Sequence, residues 1–223
     1  MQLNPKHAAI VNSTTIHPKY VFDAANYPHN IIKKSSNKKL GKKITKGIWA
    51  GLPMYTLTLV ERETCSDSCE HWLNCYMNNV AYAHRFKGNQ ALMDRMEKQL
   101  PDMASKHKRG FVIRLHIGGD FWSVAYVLWW AKMLRLYPLM RIYGYSRWHP
   151  DTAIGKALEL LRNKYSERFK LRFSNLTSDP LSANGEDMTS EGITCPVQIN
   201  KTESCGTCGL CWTTKKSIRF LTH

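Results

Sequence analysis

Acidic residues are scarce: 17 Asp and Glu stand against 32 Lys and Arg, a net charge of +15 in 223 residues. A field of that sign draws polyanions, so nucleic acid is the default partner; the plainer alternative is a basic surface that only keeps the chain dispersed. Long apolar runs are missing too. No stretch approaches the roughly 18–20 uninterrupted apolar residues that a membrane-spanning helix needs, which argues against a membrane protein. The opening MQLNPKHAAIVNSTT lacks the compact apolar core of a secretory signal, which predicts a cytoplasmic chain. No G-x-S-x-G elbow supports serine–histidine–acid catalysis, and no Walker loop is present to cradle phosphates. What remains, 43% apolar and 22% charged residues, is a globular composition and excludes wholesale disorder.

Cysteine is absent from the whole stretch between Cys75 and Cys195. The seven cysteines therefore fall into two groups, and an odd number cannot all pair. In a reducing compartment, closely spaced thiols serve metals or redox chemistry. The later group is C-x9-C-x2-C-x2-C, made of Cys195, Cys205, Cys208 and Cys211. Four ligands complete a closed tetrahedral site. Structural zinc usually takes two separated C-x2-C knuckles, whereas three cysteines at intervals of three favour iron–sulfur, with zinc as the alternative metal. Gly206 and Gly209 between the ligands let backbone N–H groups turn toward the sulfurs. The earlier group is C-x3-C-x5-C, made of Cys65, Cys69 and Cys75. Three thiolates leave a coordination position open, as a catalytic centre requires. His71, or a cysteine of the other group, is the residue that would close it instead.

Acid is also absent from residues 31–46, IIKKSSNKKLGKKITK, which carry seven lysines. This run is either a solvated face or a polyanion-contacting arm. The remainder alternates strand and helix patterns. Strands are expected over Met54–Val60, Phe111–Ile117, Arg141–Ser146 and Lys170–Ser174. Helices are expected over Tyr76–Phe86, Ala91–Lys106 (ended or kinked by Pro101), Val124–Leu136 capped by Ser123, and Thr152–Tyr165 capped by Asp151. Ile193–Val197 and Ser217–Leu221 are weaker strand candidates. Repeated strand–helix units predict an α/β fold: a partial (β/α) barrel or curled parallel sheet, with a cysteine-rich C-terminal extension that binds metal. The expected units are a basic N-terminal arm at 1–47, the α/β domain at 48–190, and the extension at 191–223 packed on it.

In such a fold the C-terminal ends of the strands form the functional face. The first strand ends at the three cysteines. The second ends at His116, Gly118, Gly119 and Asp120, and the third at Tyr145, Ser146, Arg147, Trp148 and His149. The fourth ends at Ser174, Asn175, Thr177 and Asp179. Singly these are ordinary loop or cap residues. Four successive ends of this character predict convergence on one rim.

A strand leading to a three-cysteine loop, then a strand ending Gly-Gly-acid, resembles the radical S-adenosylmethionine enzymes. The resemblance implies a [4Fe-4S] cluster on Cys65, Cys69 and Cys75, whose fourth iron takes S-adenosylmethionine. It would place Gly118, Gly119 and Asp120 against the cofactor's amino group, and Ser174 and Asn175 at its ribose. The superfamily's usual spacing is C-x3-C-x2-C with an aromatic before the last cysteine; here Asn74 precedes Cys75 after a longer interval. The segments KLGKK, LPMYTLTLVERETCSDSCEHWLNCY, RLHIGGDFWSVAYV and ITCPVQ…CGTCGLCW more closely resemble the phage "gene product 88" family, over about residues 35–215. That resemblance implies a phage source, the cytoplasm of a bacterial host, and a nucleic-acid-related setting. The later cysteines are similar in placement to auxiliary-cluster extensions, so one or two clusters are expected.

Two functions follow. The first is a radical S-adenosylmethionine-type phage enzyme acting on a nucleotide or nucleic acid, with Asp120 at the cofactor and His116, Arg147 and His149 handling substrate or protons. The second is a non-enzymatic protein, stabilised by zinc or iron–sulfur, that binds nucleic acid or a host target. In it the lysine run contacts phosphates and Tyr145, Trp148 and Trp212 stack on bases.

Overall fold

The computed structural model describes residues 1–221. Five strands form the central sheet: β1 (Lys33–Lys34), β2 (Met54–Thr56), β3 (Phe111–Leu115), β4 (Met140–Ser146) and β5 (Phe169–Phe173). They lie side by side in chain order. β1 runs antiparallel to β2, and every other pairing is parallel. Three helices connect them: α1 (Gln90–Lys106), α2 (Val124–Leu136) and α3 (Ala153–Lys164). A second, all-parallel sheet places β8 (Ile218–Phe220) between β6 (Ala183–Gly185) and β7 (Ile193–Thr194). A single bridge, Ser174 to Ala183, ties it to the exit of β5. Among the described residues no pairing joins β1 to β5. The central sheet is therefore open and parallel-dominated, and the expected barrel is not seen.

Strand alternation assigns the two faces. Phe111, Ile113, Leu115, Ile142, Leu171 and Phe173 pack against the three helices in one core. Met54, Val112 and Tyr143 point the other way, into a second core closed by Leu40, Ile44, Trp49, Leu52 and Trp212. The helices thus cover one face. Residues 40–52 and the C-terminal cysteine segment cover the other. Residues 31–46 are woven into this plan: β1 is a strand of the sheet, and Ile31, Ile32, Leu40 and Ile44 are buried.

Local sequence explains most helix starts. Ser123 Oγ accepts from Tyr126 N at 3.1 Å, and Asn89 Oδ1 accepts from Leu92 N at 3.0 Å. α3 is capped by Thr152 rather than Asp151. α1 continues through Pro101 to Lys106. Buried Leu100 and Met103, each worth about 1.5–3 kcal/mol, outweigh the roughly 3 kcal/mol that an interior proline costs. The helix expected over Tyr76–Phe86 is a correction. A short 3-10 turn, Tyr76–Asn79, is followed by a strand, Arg85–Phe86, parallel to Val21–Phe22. Fully buried Arg85 donates to the carbonyls of Met77, Val80 and Ala83 and pairs with Glu61, so a charge rather than a helix ladder takes up those carbonyls.

Candidate functional site

The exits of β2 and β3 run together. Leu59 N donates to Gly118 O at 2.9 Å and Ile117 N to Leu57 O at 2.9 Å. Gly119, at φ +75°, lies so close to the cysteine loop that a Cβ there would stand 2.4 Å from Thr64 Oγ1. The same Thr64 hydroxyl accepts from Asp120 N at 3.1 Å. A Cβ on Gly118 would meet the Met77 side chain at 2.7 Å. The Gly-Gly-Asp segment is therefore pressed flush against the loop that carries the first cysteines.

Asp120 then reaches the end of β4. Its Oδ2 accepts from Arg147 N at 2.7 Å and its Oδ1 from Phe121 N at 2.7 Å. Burial pushes its pKa up to about 7, against the opposing pull of hydrogen bonds from the Arg147 and Phe121 amides and the Ser146 hydroxyl. The Arg147 guanidinium returns to the cysteine loop and clamps Glu70 with two parallel bonds, one of 2.8 Å from Nε to Oε2. That contact holds Glu70 down at about 2. Three of the four strand ends thus converge as expected, through hydrogen bonds that join Thr64, Asp120, Arg147 and Glu70.

Two arginines hold the loop from behind. Arg62, at φ +67°, donates to Thr14 O at 3.0 Å, to Trp72 O at 3.0 and 2.8 Å, and to Asn78 Oδ1 at 2.6 Å. Arg85 forms a buried ion pair with Glu61 at 2.8 Å, and Glu61 also accepts from Thr15 Oγ1 at 2.5 Å. Sequence inspection passed over both. Their partners are mostly carbonyls, which leave no trace in residue identity; Arg85, among Tyr82, Ala83 and Phe86, offered the signal of an arginine in a largely apolar stretch, and Arg62, between Glu61 and Glu63, offered none. Cys65, Cys69 and Cys75 are half-buried free thiols. Burial raises the pKa of all three, Cys75 to about 11.

The second cysteine group lies on the sheet face opposite the helices. Cys195, Cys205, Cys208 and Cys211 line one narrow pocket. Cys205 opens a single helical turn capped by Ser204, and Gly209 breaks that turn at φ +73° so that Cys211 can face back. Tyr145 O–H donates to Cys211 Sγ at 2.9 Å. Trp212 stacks on Trp49, ring centres 5.5 Å apart. Arg172, projecting from β5, donates to Cys211 O at 2.9 Å and to the carbonyls of Leu181, Lys216 and Thr214 at 3.0, 3.0 and 2.8 Å. Arg114 lies 4.4 Å over the Tyr145 ring, near enough to Cys205 and Cys211 to pull their pKa values down. Burial wins there, pushing Cys205 up to about 12.

Other expected site residues stand elsewhere. His116 is buried in the helix-side core, stacked on Tyr126, with Nε2 3.1 Å from its hydroxyl; burial depresses its pKa strongly, so it is a neutral core residue. His149 is exposed ahead of α3 and pairs with Asp151 at 3.1 Å. Asn175 Oδ1 accepts from Gly185 N at 2.9 Å and Ser174 bridges to Ala183, so both serve the second sheet. Tyr145 is engaged with Cys211, Trp148 packs against the helix-side core, and Trp212 is buried, so these three do not form a base-stacking surface. Among the described residues, no group of three or more His, Cys, Asp or Glu side chains is arranged to hold a metal ion as it stands.

The fold and site define a mixed α/β protein whose parallel-dominated sheet carries one cysteine group at its strand ends and another on its face. The chain belongs to the phage gene product 88 family, whose family model matches residues 30–214 and so includes both groups. No curated protein and no solved structure matches it. Among the described residues, no helix is long and apolar enough to cross a membrane.

Proposed function

We propose that this is an iron–sulfur protein in which the C-terminal cysteines hold one centre and the strand-end cysteines hold a second, with a position left for a substrate. The observation that carries the reading is the single pocket lined by Cys195, Cys205, Cys208 and Cys211, brought together from two separate stretches of chain. Burial there raises the pKa of Cys205, Cys208 and Cys211, so these three thiols stay neutral without a cation. A metal reverses that balance by deprotonating its ligands. The Tyr145 hydroxyl on Cys211 Sγ is the kind of hydrogen bond that tunes a cluster sulfur.

The strand-end cysteines would supply a metal with one exchangeable position. Around it Arg147 fixes the loop, and Asp120 joins the loop to the neighbouring strand ends. The residues that the resemblance would give to S-adenosylmethionine do not fit that cofactor. Asp120 is engaged by backbone amides, and Ser174 and Asn175 by the second sheet. We therefore assign it no step. Net charge +15 supports a nucleotide or nucleic-acid substrate.

The test is anaerobic purification followed by iron, sulfide and zinc determination. About four irons per loaded site with broad visible absorbance is the expected result. Cys205→Ala and Cys75→Ala should each remove one site's share. A colourless protein, or one with zinc alone, overturns the iron–sulfur assignment.

A further inference from the structure

A shallow cavity of about 620 Å³, wide open to solvent and sharing no lining residue with the cysteines' pocket, is lined by Tyr27, His29, Asn30, Lys33, His84 and Arg95, together with Pro28. We propose that this cavity binds a backbone phosphate of single-stranded nucleic acid. The proposal deepens the substrate class named above and is independent of the metal content.

The lining carries two permanent cations, Lys33 and Arg95, and two histidines, with no carboxylate among them. Among the described residues, no acid lies within ion-pair distance of Lys33, His84 or Arg95. Lys33 Nζ donates to Tyr27 Oη at 2.5 Å and approaches His84 Nδ1 at 3.2 Å, while Tyr27 Oη lies 2.7 Å from the same nitrogen. With Nδ1 accepting, His84 keeps its proton on Nε2 as a donor. Burial and the nearby Lys33 and His29 lower the pKa of His84, which agrees with cations crowded without a counter-ion. Arg95 is held by the carbonyls of Tyr27 and His29 at 2.9 and 3.3 Å. Positive charge is thus fixed in place before an anion arrives.

The surroundings favour a strand over a free anion. Tyr82, 80% exposed, sits edge-on to Tyr20 at 5.7 Å, and the Tyr20 ring lies 6.3 Å from that of His84. Exposed aromatic faces beside a phosphate site stack bases of any sequence. Lys34, the next residue of edge strand β1, and Lys106 both act on His107, so the positive surface continues past the cavity.

The test is fluorescence anisotropy of a labelled short single-stranded oligodeoxynucleotide across a salt series, with metal content measured on the same preparation. Lys33→Gln and Arg95→Gln should each weaken binding and reduce the slope of log K against log salt by about 0.7 for every phosphate left without its cation. Tyr82→Ala should weaken binding about 5- to 100-fold at every salt concentration. Lys201→Gln, an exposed control, should leave the slope unchanged. Circular dichroism and urea midpoints establish that each variant folds. Cavity variants that bind like the Lys201→Gln control overturn the proposal, whatever the metal content. Inorganic phosphate displacing the oligonucleotide at equal phosphate concentration also overturns it, since the cavity would then be a small-anion site. An anaerobic preparation that is colourless or holds zinc alone and still binds the oligonucleotide refutes the iron–sulfur reading and leaves this one standing.

Discussion

Replacing Arg172 with leucine should loosen the C-terminal cysteine segment from the sheet. Arg172 is 3% exposed, and four of its guanidinium's bonds to carbonyls are 3.0 Å or shorter, to Leu181, Cys211, Thr214 and Lys216. At a net value of about 1 kcal/mol each, their loss amounts to about 4 kcal/mol. Relief from burying a charge offsets part of this, so about 3 kcal/mol is expected. Lysine offers three donors without the planar fork, and Arg172→Lys should recover about half. With a urea dependence of about 2 kcal/mol per molar, the leucine variant's midpoint should fall by about 1.5 M. Thiol-reagent labelling in native buffer should become faster at Cys205, Cys208 and Cys211, while Cys65 and Cys69 keep their rates. A midpoint shift below about 0.5 M with unchanged labelling would refute the role given to Arg172.

The folded pKa of Asp120, about 7, lies above the ordinary aspartate value. The folded chain therefore binds more protons than the unfolded chain between those values, and this group's contribution to stability falls as pH rises through that window. Asp120→Asn should flatten the dependence seen by urea titration between about pH 5 and about pH 7, and should cost about 1–3 kcal/mol at the lower pH because one amide loses its acceptor. A slope identical to that of the parent chain counts against the assignment. Gly119→Ala combines a positive φ with a contact of 2.4 Å to Thr64 and should lower stability by about 2 kcal/mol or more in thermal melts; a neutral result would mean that the loop yields freely.

The parallel sheet was legible because its strands are buried runs such as FVIRL, and α2 because Ser123 caps it. β1 was hidden in the lysine run, where buried Ile31 and Ile32 and pairing to β2 outweigh the charge pattern. The three residues of β6 carry no strand signal; pairing with β8 and the bridge from Ser174 make them one. Cysteine spacing pointed to the shared pocket of the second group. The convergence of the Gly-Gly-Asp segment on the first group followed from strand order alone. Side-chain direction did not follow. His116 stands one residue past β3 on the parity of Val112, which alternation would send to the opposite face, yet its ring packs on Phe121 and Tyr126 of the helix side. Arg62 and Arg172 reach the distant carbonyls of Thr14 and of Cys211 and Thr214, a long-range geometry that no local pattern encodes, while Arg85 folds back on the nearby carbonyls of Met77, Val80 and Ala83.

The stacked pair Trp49 and Trp212 joins residues far apart in the chain, over the face that bears Tyr143. During synthesis Trp49 emerges well before its partner Trp212. Until then one side of the nascent sheet lacks its lid, and an apolar surface waits on the ribosome. Ribosome-stalled chains ending before Cys205 should therefore recruit holding chaperones, and release should coincide with the arrival of the tryptophan that closes the lid.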